Sequence, residues 1–383
     1  MAATVSRWAR RYVGVAVGSL LAWQVGLLVG VPRGTEVALG LYGFVLHVVF
    51  GKAYSLVPSY FDRELVEPRA AAVQLPLTAV GVVCLALAPL AGTPDVLEPV
   101  GAALWAAGVV GFVGALAWTV RDNLTGAETG TGGPNVHRER VDRAANAVVP
   151  VALAYLLVGS YATLGLAGVV PPVFDGYPPR TTHLLGTGTA TLLVFGLGVR
   201  LLPRFLVADP PNALVWVVLP AGAVGPALLA ATLPAGPWFH LAAVVETVAV
   251  VGYAGVVGTL FVRSDNRRTA LYGVLLGAVG GVAAVALGAW FAFVGLDGAL
   301  IPAHRRLTVV GVSLQFYPPN VGRWPGCDDR TALASMALLA VGVAVQAAGL
   351  GLDAPAAEAS GVVLALVGGL GYAYLLAGAF ATR

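Results

Sequence analysis

Apolar runs of roughly twenty residues follow one another along almost the whole of this chain, and that tiling is incompatible with a water-soluble fold. A helix needs roughly 20 mostly apolar residues to cross the hydrocarbon of a bilayer. In lipid the backbone must satisfy its own hydrogen bonds, so spans of this kind are helical. Twelve spans are read, near 12–31, 37–58, 70–89, 96–120, 145–170, 182–203, 213–233, 239–262, 271–294, 299–318, 333–350 and 359–381. Gly and Pro mark most of the connections. Only 11% of the 383 residues are charged, against about 25% in soluble proteins, too few to cover a surface facing water. The expectation is an all-α membrane protein, a single polytopic domain over 1–383 embedded in the lipid bilayer. Arg7, Arg10 and Arg11 precede an apolar run from Tyr12 to Val31 that could mimic a signal peptide. The run is long enough to span and lacks a clear cleavage site, so it is read as the first helix.

The arginines set the orientation. With the N-terminus in the cytoplasm, the inner segments hold seventeen of the 22 basic residues, among them Arg63, Arg69, Arg121, Arg138, Arg140, Arg143, Arg200, Arg204, Arg263, Arg267, Arg268, Arg323, Arg330 and Arg383. The outer segments hold only Arg33, Arg180, Arg305 and Arg306, and Lys52 lies within the second span. This positive-inside bias predicts a multi-pass cell-membrane protein with both termini cytoplasmic. The polar segment 121–145 becomes a cytoplasmic loop, flexible in its Thr/Gly-rich part, with His137 a solvated residue. Cys84 falls in an apolar run and Cys327 in a polar loop, so neither a disulfide nor a thiolate metal cluster is expected.

Four of the five histidines fall into a pattern. His47 lies in the second span, His183 opens the sixth, His240 opens the eighth and His304 lies early in the tenth. All are even-numbered, so the four imidazoles share the outer half of the membrane. Polar groups there are costly and tend to be functional. Three of these helices end similarly: Leu56-Val57-Pro58-Ser59-Tyr60-Phe61, Leu201-Leu202-Pro203-Arg204-Phe205-Leu206 and Phe316-Tyr317-Pro318-Pro319. The period is four helices, which suggests three four-helix units around a pseudo-threefold axis.

Twelve helices grouped in fours, with histidines on the second, sixth and tenth, resemble the catalytic subunit of the haem–copper oxidases. The nitric-oxide-response family NnrS is similar in scaffold. The resemblance implies a b-type haem held by His47 and His304, with Arg305 and Arg306 beside its propionates. It also implies electron transport or the handling of nitric oxide or another small gas, a redox partner or further membrane subunits, and, for an enzyme, oxidoreductase chemistry. Neutral imidazole is a good iron ligand, and two of them saturate a b-type haem. Gly51 and Tyr54 share the face of His47, where the glycine would let a macrocycle approach. His183, Thr187 and Thr191 form a stripe that could line a second metal site or a polar channel, joined by His240. The sequence departs from the family at His304, where the family carries His-x-His, and in the seventh span, which has no histidine. Copper is therefore not expected.

Two other readings stay open: a secondary transporter with polar sites between helices, and a scaffold or assembly subunit without cofactors. An intramembrane histidine is also often just an interhelical hydrogen-bonding residue. Glu246 is expected to face the protein interior, because a carboxyl group in hydrocarbon without partners is costly. Nothing in the sequence points to nucleic acid.

Overall fold

The structure, a computed structural model, describes residues 2–266, 268–314 and 324–381. Twelve helices account for it: α1 (Ala2–Val29), α2 (Arg33–Tyr60), α3 (Ala70–Leu87), α4 (Leu97–Thr119), α5 (Glu139–Leu166), α6 (Pro178–Leu206), α7 (Asn212–Thr232), α8 (Pro237–Arg263), α9 (Thr269–Phe293), α10 (Leu300–Ser313), α11 (Asp329–Gly351) and α12 (Pro355–Ala381). Among the described residues there is no strand. Eleven of the spans are long and apolar enough to cross a membrane, and the chain is an all-α, multi-pass membrane protein. The exception is α10, whose described part is 14 residues long. Its expected ending, Phe316-Tyr317-Pro318-Pro319, lies outside the described residues, as do Arg267, Arg323 and Arg383.

Two helices differ from the rest in the same way. Each of α2 and α6 opens with a short α-helical piece, Arg33–Val37 or Pro178–His183. Each passes through eight π-helical residues, Ala38–Val45 or Leu184–Thr191. Each closes with fifteen α-helical residues, Leu46–Tyr60 or Leu192–Leu206. Of their most apolar stretch 83% is buried, against 33–56% in the other nine long spans, so these two stand at the centre of the bundle. Their π segments touch each other, and that of α2 also touches α10. The four-helix period is visible in this pair; a division of the bundle into three units is not. A π turn widens the helix and rotates the residues beyond it, and such turns are frequent at functional sites.

Glycine sets the spacing of neighbouring helices. A Cβ on Gly342 of α11 would lie 2.5 Å from the Ala365 nitrogen of α12, and one on Gly361 would lie 2.6 Å from the Gln346 nitrogen. In lipid such close backbone packing takes over part of the role that hydrophobic burial has in water.

The segment after α4 is more ordered than its composition predicts. Helix α5 begins at Glu139, six residues before the expected 145, after a 3-10 turn over Gly133–Arg138. Asn123 Nδ2 donates to the carbonyls of Phe61 (3.0 Å) and Glu128 (2.8 Å). Arg200 Nη1 donates to Tyr60 O (2.8 Å) and Asn146 Oδ1 (2.7 Å), and Nη2 to Thr129 O. Asp142, 1% exposed, pairs with Arg204 at 2.6 Å. The Thr/Gly-rich stretch is thus tied down over the helix ends, by partners far away in sequence. His137 is exposed beside Asp209, at 3.2 Å.

Candidate functional site: a cavity lined by two histidines

The expected pair, His47 with His304, is not the pair the structure brings together. His47 is fully buried, and both of its ring nitrogens are engaged. Nδ1 donates to Tyr42 O at 2.8 Å, and the Thr78 hydroxyl meets Nε2 at 3.1 Å. The rings of Tyr12, Phe50 and Trp105 surround it, with centroids 5.8–6.3 Å away. Gly51, expected to admit a macrocycle, instead admits α1: a Cβ there would lie 2.8 Å from Tyr12 Cβ and 3.0 Å from Ala9 O. Tyr54 and Tyr12 both donate to Gln74 Oε1, at 2.8 and 2.6 Å. The space beside His47 is filled with protein.

His304 faces His183. Their ring centroids are 6.3 Å apart and their planes 23° from parallel. His183 Nδ1 donates to Pro179 O at 2.7 Å, one turn back on α6. His304 Nδ1 donates to Ala284 O of α9 at 2.8 Å. A carbonyl can only accept, so each Nδ1 carries the proton and each neutral ring presents an unprotonated Nε2. Among the described residues neither Nε2 has a hydrogen-bond partner. Two imidazoles whose nitrogens pointed at a shared metal, about 2.0–2.1 Å from each, would have ring centres roughly 6 Å apart, comparable to the observed separation.

Both rings line one cavity of about 240 Å³ between α2, α6, α8, α9 and α10. It runs from the face where the even-numbered helices begin, past the histidines, to Tyr253 and Val312. Its wall is thin where glycine replaces side chains, at Gly186, Gly277, Gly281 and Gly288; a Cβ on Gly288 would come within 3.4 Å of His304 Cε1. Thr187 and Thr191 line it below His183, as the predicted stripe requires. His240 does not join them: it is exposed and packs on Phe293, with ring centroids 5.0 Å apart.

The two adjacent arginines part company. Arg305 lines the cavity mouth with Arg33, and pairs with Glu36 at 3.0 Å. Arg306 turns the other way, to Glu358 at 2.7 Å, and is buried away from the cavity. It therefore offers nothing to a ligand beside His304; successive residues on a helix point about 100° apart. Arg33, Glu36 and Tyr177 were not singled out in the sequence. The only sign of the first two was a charged start, Arg33-Gly34-Thr35-Glu36, to a central apolar helix.

Glu246 is 5% exposed and lines the cavity from α8, so it faces the interior as expected. Its Oε2 is buried without a partner, against Gly225 of α7. Among the described residues no three of His, Cys, Asp and Glu converge on a point where they could hold a bare metal ion. No protein-family model matches this chain, and no curated protein sequence matches it either.

Proposed function

We propose that this membrane protein binds a b-type haem between His183 and His304 and serves one-electron transfer. One observation carries this reading. Two neutral imidazoles from α6 and α10 line the same cavity at the spacing of a shared metal, each with Nδ1 held by a carbonyl and Nε2 unpartnered. A bound macrocycle would bring the iron with ligands of its own besides the two imidazoles, and Gly186, Gly277, Gly281 and Gly288 line the cavity beside them. Arg33 and Arg305 stand at the mouth, where guanidinium groups suit propionate carboxylates. Bound there, the haem would supply reversible electron exchange. Two histidine ligands would suit the haem to electron exchange, which supports electron transfer over nitric oxide chemistry. The arginine distribution supports a reading in which the cavity mouth opens on the outer side of the membrane.

The test is a reduced-minus-oxidised spectrum of the purified protein. A low-spin haem signal at about one haem per chain supports the reading, and a colourless protein after expression with ample haem overturns it. The transporter reading has its own support: a cavity open at one face, with a buried carboxyl group, between helices interrupted by π turns. It predicts no haem spectrum, and solute uptake into vesicles that Glu246→Gln abolishes.

A further inference from the structure

We propose that Glu246 is the proton-binding partner of the His183–His304 centre: it takes up a proton when the centre gains an electron and releases it when the electron leaves. The inference rests on the haem reading above and names how that same site handles charge.

The cavity holds two carboxyl groups, and they differ. Glu36 is at the mouth, with Arg305 as its counter-charge at 3.0 Å. Glu246 lies inside, its Oε2 buried and without a hydrogen-bond partner among the described residues. A side chain held by an ion pair keeps its charge whatever happens nearby. One with no partner follows the charge of its surroundings, because in a medium of low polarity the field of a neighbouring centre is weakly screened. By helix rise His183 lies roughly 8 Å below the start of α6, His304 roughly 6 Å below that of α10 and Glu246 roughly 14 Å below that of α8. The three helices start at the same face, so the carboxyl group sits one to two turns deeper than the rings.

Among the described residues, the titratable or charged groups lining this cavity are Arg33 and Glu36 of α2, Tyr177 just before α6, His183 of α6, His304 and Arg305 of α10, and Tyr253 besides Glu246 on α8. The lining residues of α7 and α9 carry no titratable group. On α5, Tyr155 lies close by, with its hydroxyl donating to Ala223 O and accepting from Ala227 N. The arginines and tyrosines keep their protons across the physiological range. The two imidazoles are fixed as ligands, and Glu36 is paired. Glu246 is the group left to exchange a proton with water entering through the mouth.

The step balances. One electron arrives from an external one-electron donor, one proton arrives from water, and the Glu246 carboxylate becomes a carboxylic acid. At about 10 Å and an effective dielectric of about 20, one added electron changes a carboxyl group's proton affinity roughly tenfold. By reciprocity the proton changes the electron affinity by the same factor. Tenfold corresponds to about 59 mV for one electron.

The experiment is a redox titration of the haem-loaded protein over a range of pH, in wild type and Glu246→Gln, an isosteric change. The wild-type midpoint should fall by about the tenfold equivalent, 59 mV, as pH rises through the transition, and the variant should stay flat. A wild-type midpoint independent of pH, or an unchanged slope in Glu246→Gln, overturns the proposal while leaving the haem reading intact. If Glu246→Gln does not fold, reduction-induced infrared difference spectra of the wild type decide. A gained C=O band of a protonated carboxyl group supports the proposal, and its absence overturns it. A wild type that binds no haem sinks the haem reading first, and this inference with it.

Discussion

Two intramembrane histidines, His47 and His183, occupy comparable helices of this bundle and have opposite surroundings. His183 immediately precedes, and His47 lies two residues after, an eight-residue π segment of a central span. Around His47 the neighbours close in: Thr78 takes the second nitrogen, α1 occupies the glycine face, and three aromatic rings fill the rest. Around His183 the second nitrogen stays open to a cavity and a matching imidazole stands across it. What separates the two settings is the partner of the second nitrogen, which for His47 comes from another helix.

The largest effect that tests this contrast is on stability at the closed site. His47→Ala should destabilise the protein in detergent by about 3 kcal/mol, because it opens a void and strips two buried hydrogen-bonding partners; His183→Ala in the haem-free protein should cost under about 1 kcal/mol. Equal losses in thermal unfolding would erase the distinction. Gly51→Ala comes next, at about 2 kcal/mol, since the methyl group would meet the Ala9 carbonyl and Tyr12. Gly281→Ala, with only Val250 Cγ1 at 3.5 Å, should stay within about 0.5 kcal/mol. Thr78→Val should cost about 1 kcal/mol, by leaving His47 Nε2 buried and unpaired without changing the volume much. The smallest effect concerns the connection before α6. Arg180 Nε and Nη2 donate to the two Asp175 carboxylate oxygens, both at 2.9 Å, and hold that carboxyl group below its ordinary value. A depressed carboxyl pKa stabilises above the unfolded value of about 3.9 and is lost as pH falls through the folded one. Hydrogen exchange around Tyr177 should therefore rise below about pH 4 in the wild type, and show no such step in Asp175→Asn.

Much of the fold was legible because lipid imposes a length on apolar runs. The twelve helices lie close to where the runs and their Gly and Pro punctuation put them, and eleven of them are long and apolar enough to cross a membrane. The site was legible in part. Sequence gives the depth of a residue along its helix, so His183 and His304 could be placed near one face. It does not give azimuth, which depends on neighbouring helices and, in α2 and α6, on π turns that shift the register. That is why the stripe of His47, Gly51 and Tyr54 packs on α1, and why Arg306 turns to Glu358 while Arg305 meets the cavity. The ties of Arg200 to Tyr60, Asn146 and Thr129 were equally hidden, because the partners lie 54 to 140 residues away.

The most direct test of the account compares three alanine variants in one spectroscopic assay. His183→Ala, His304→Ala and His47→Ala are purified after expression with ample haem, and their reduced-minus-oxidised spectra are recorded beside the wild type. The account predicts that His183→Ala and His304→Ala each lose the low-spin signal, while folded His47→Ala keeps it in full. A signal that survives in His183→Ala and disappears in folded His47→Ala would contradict it.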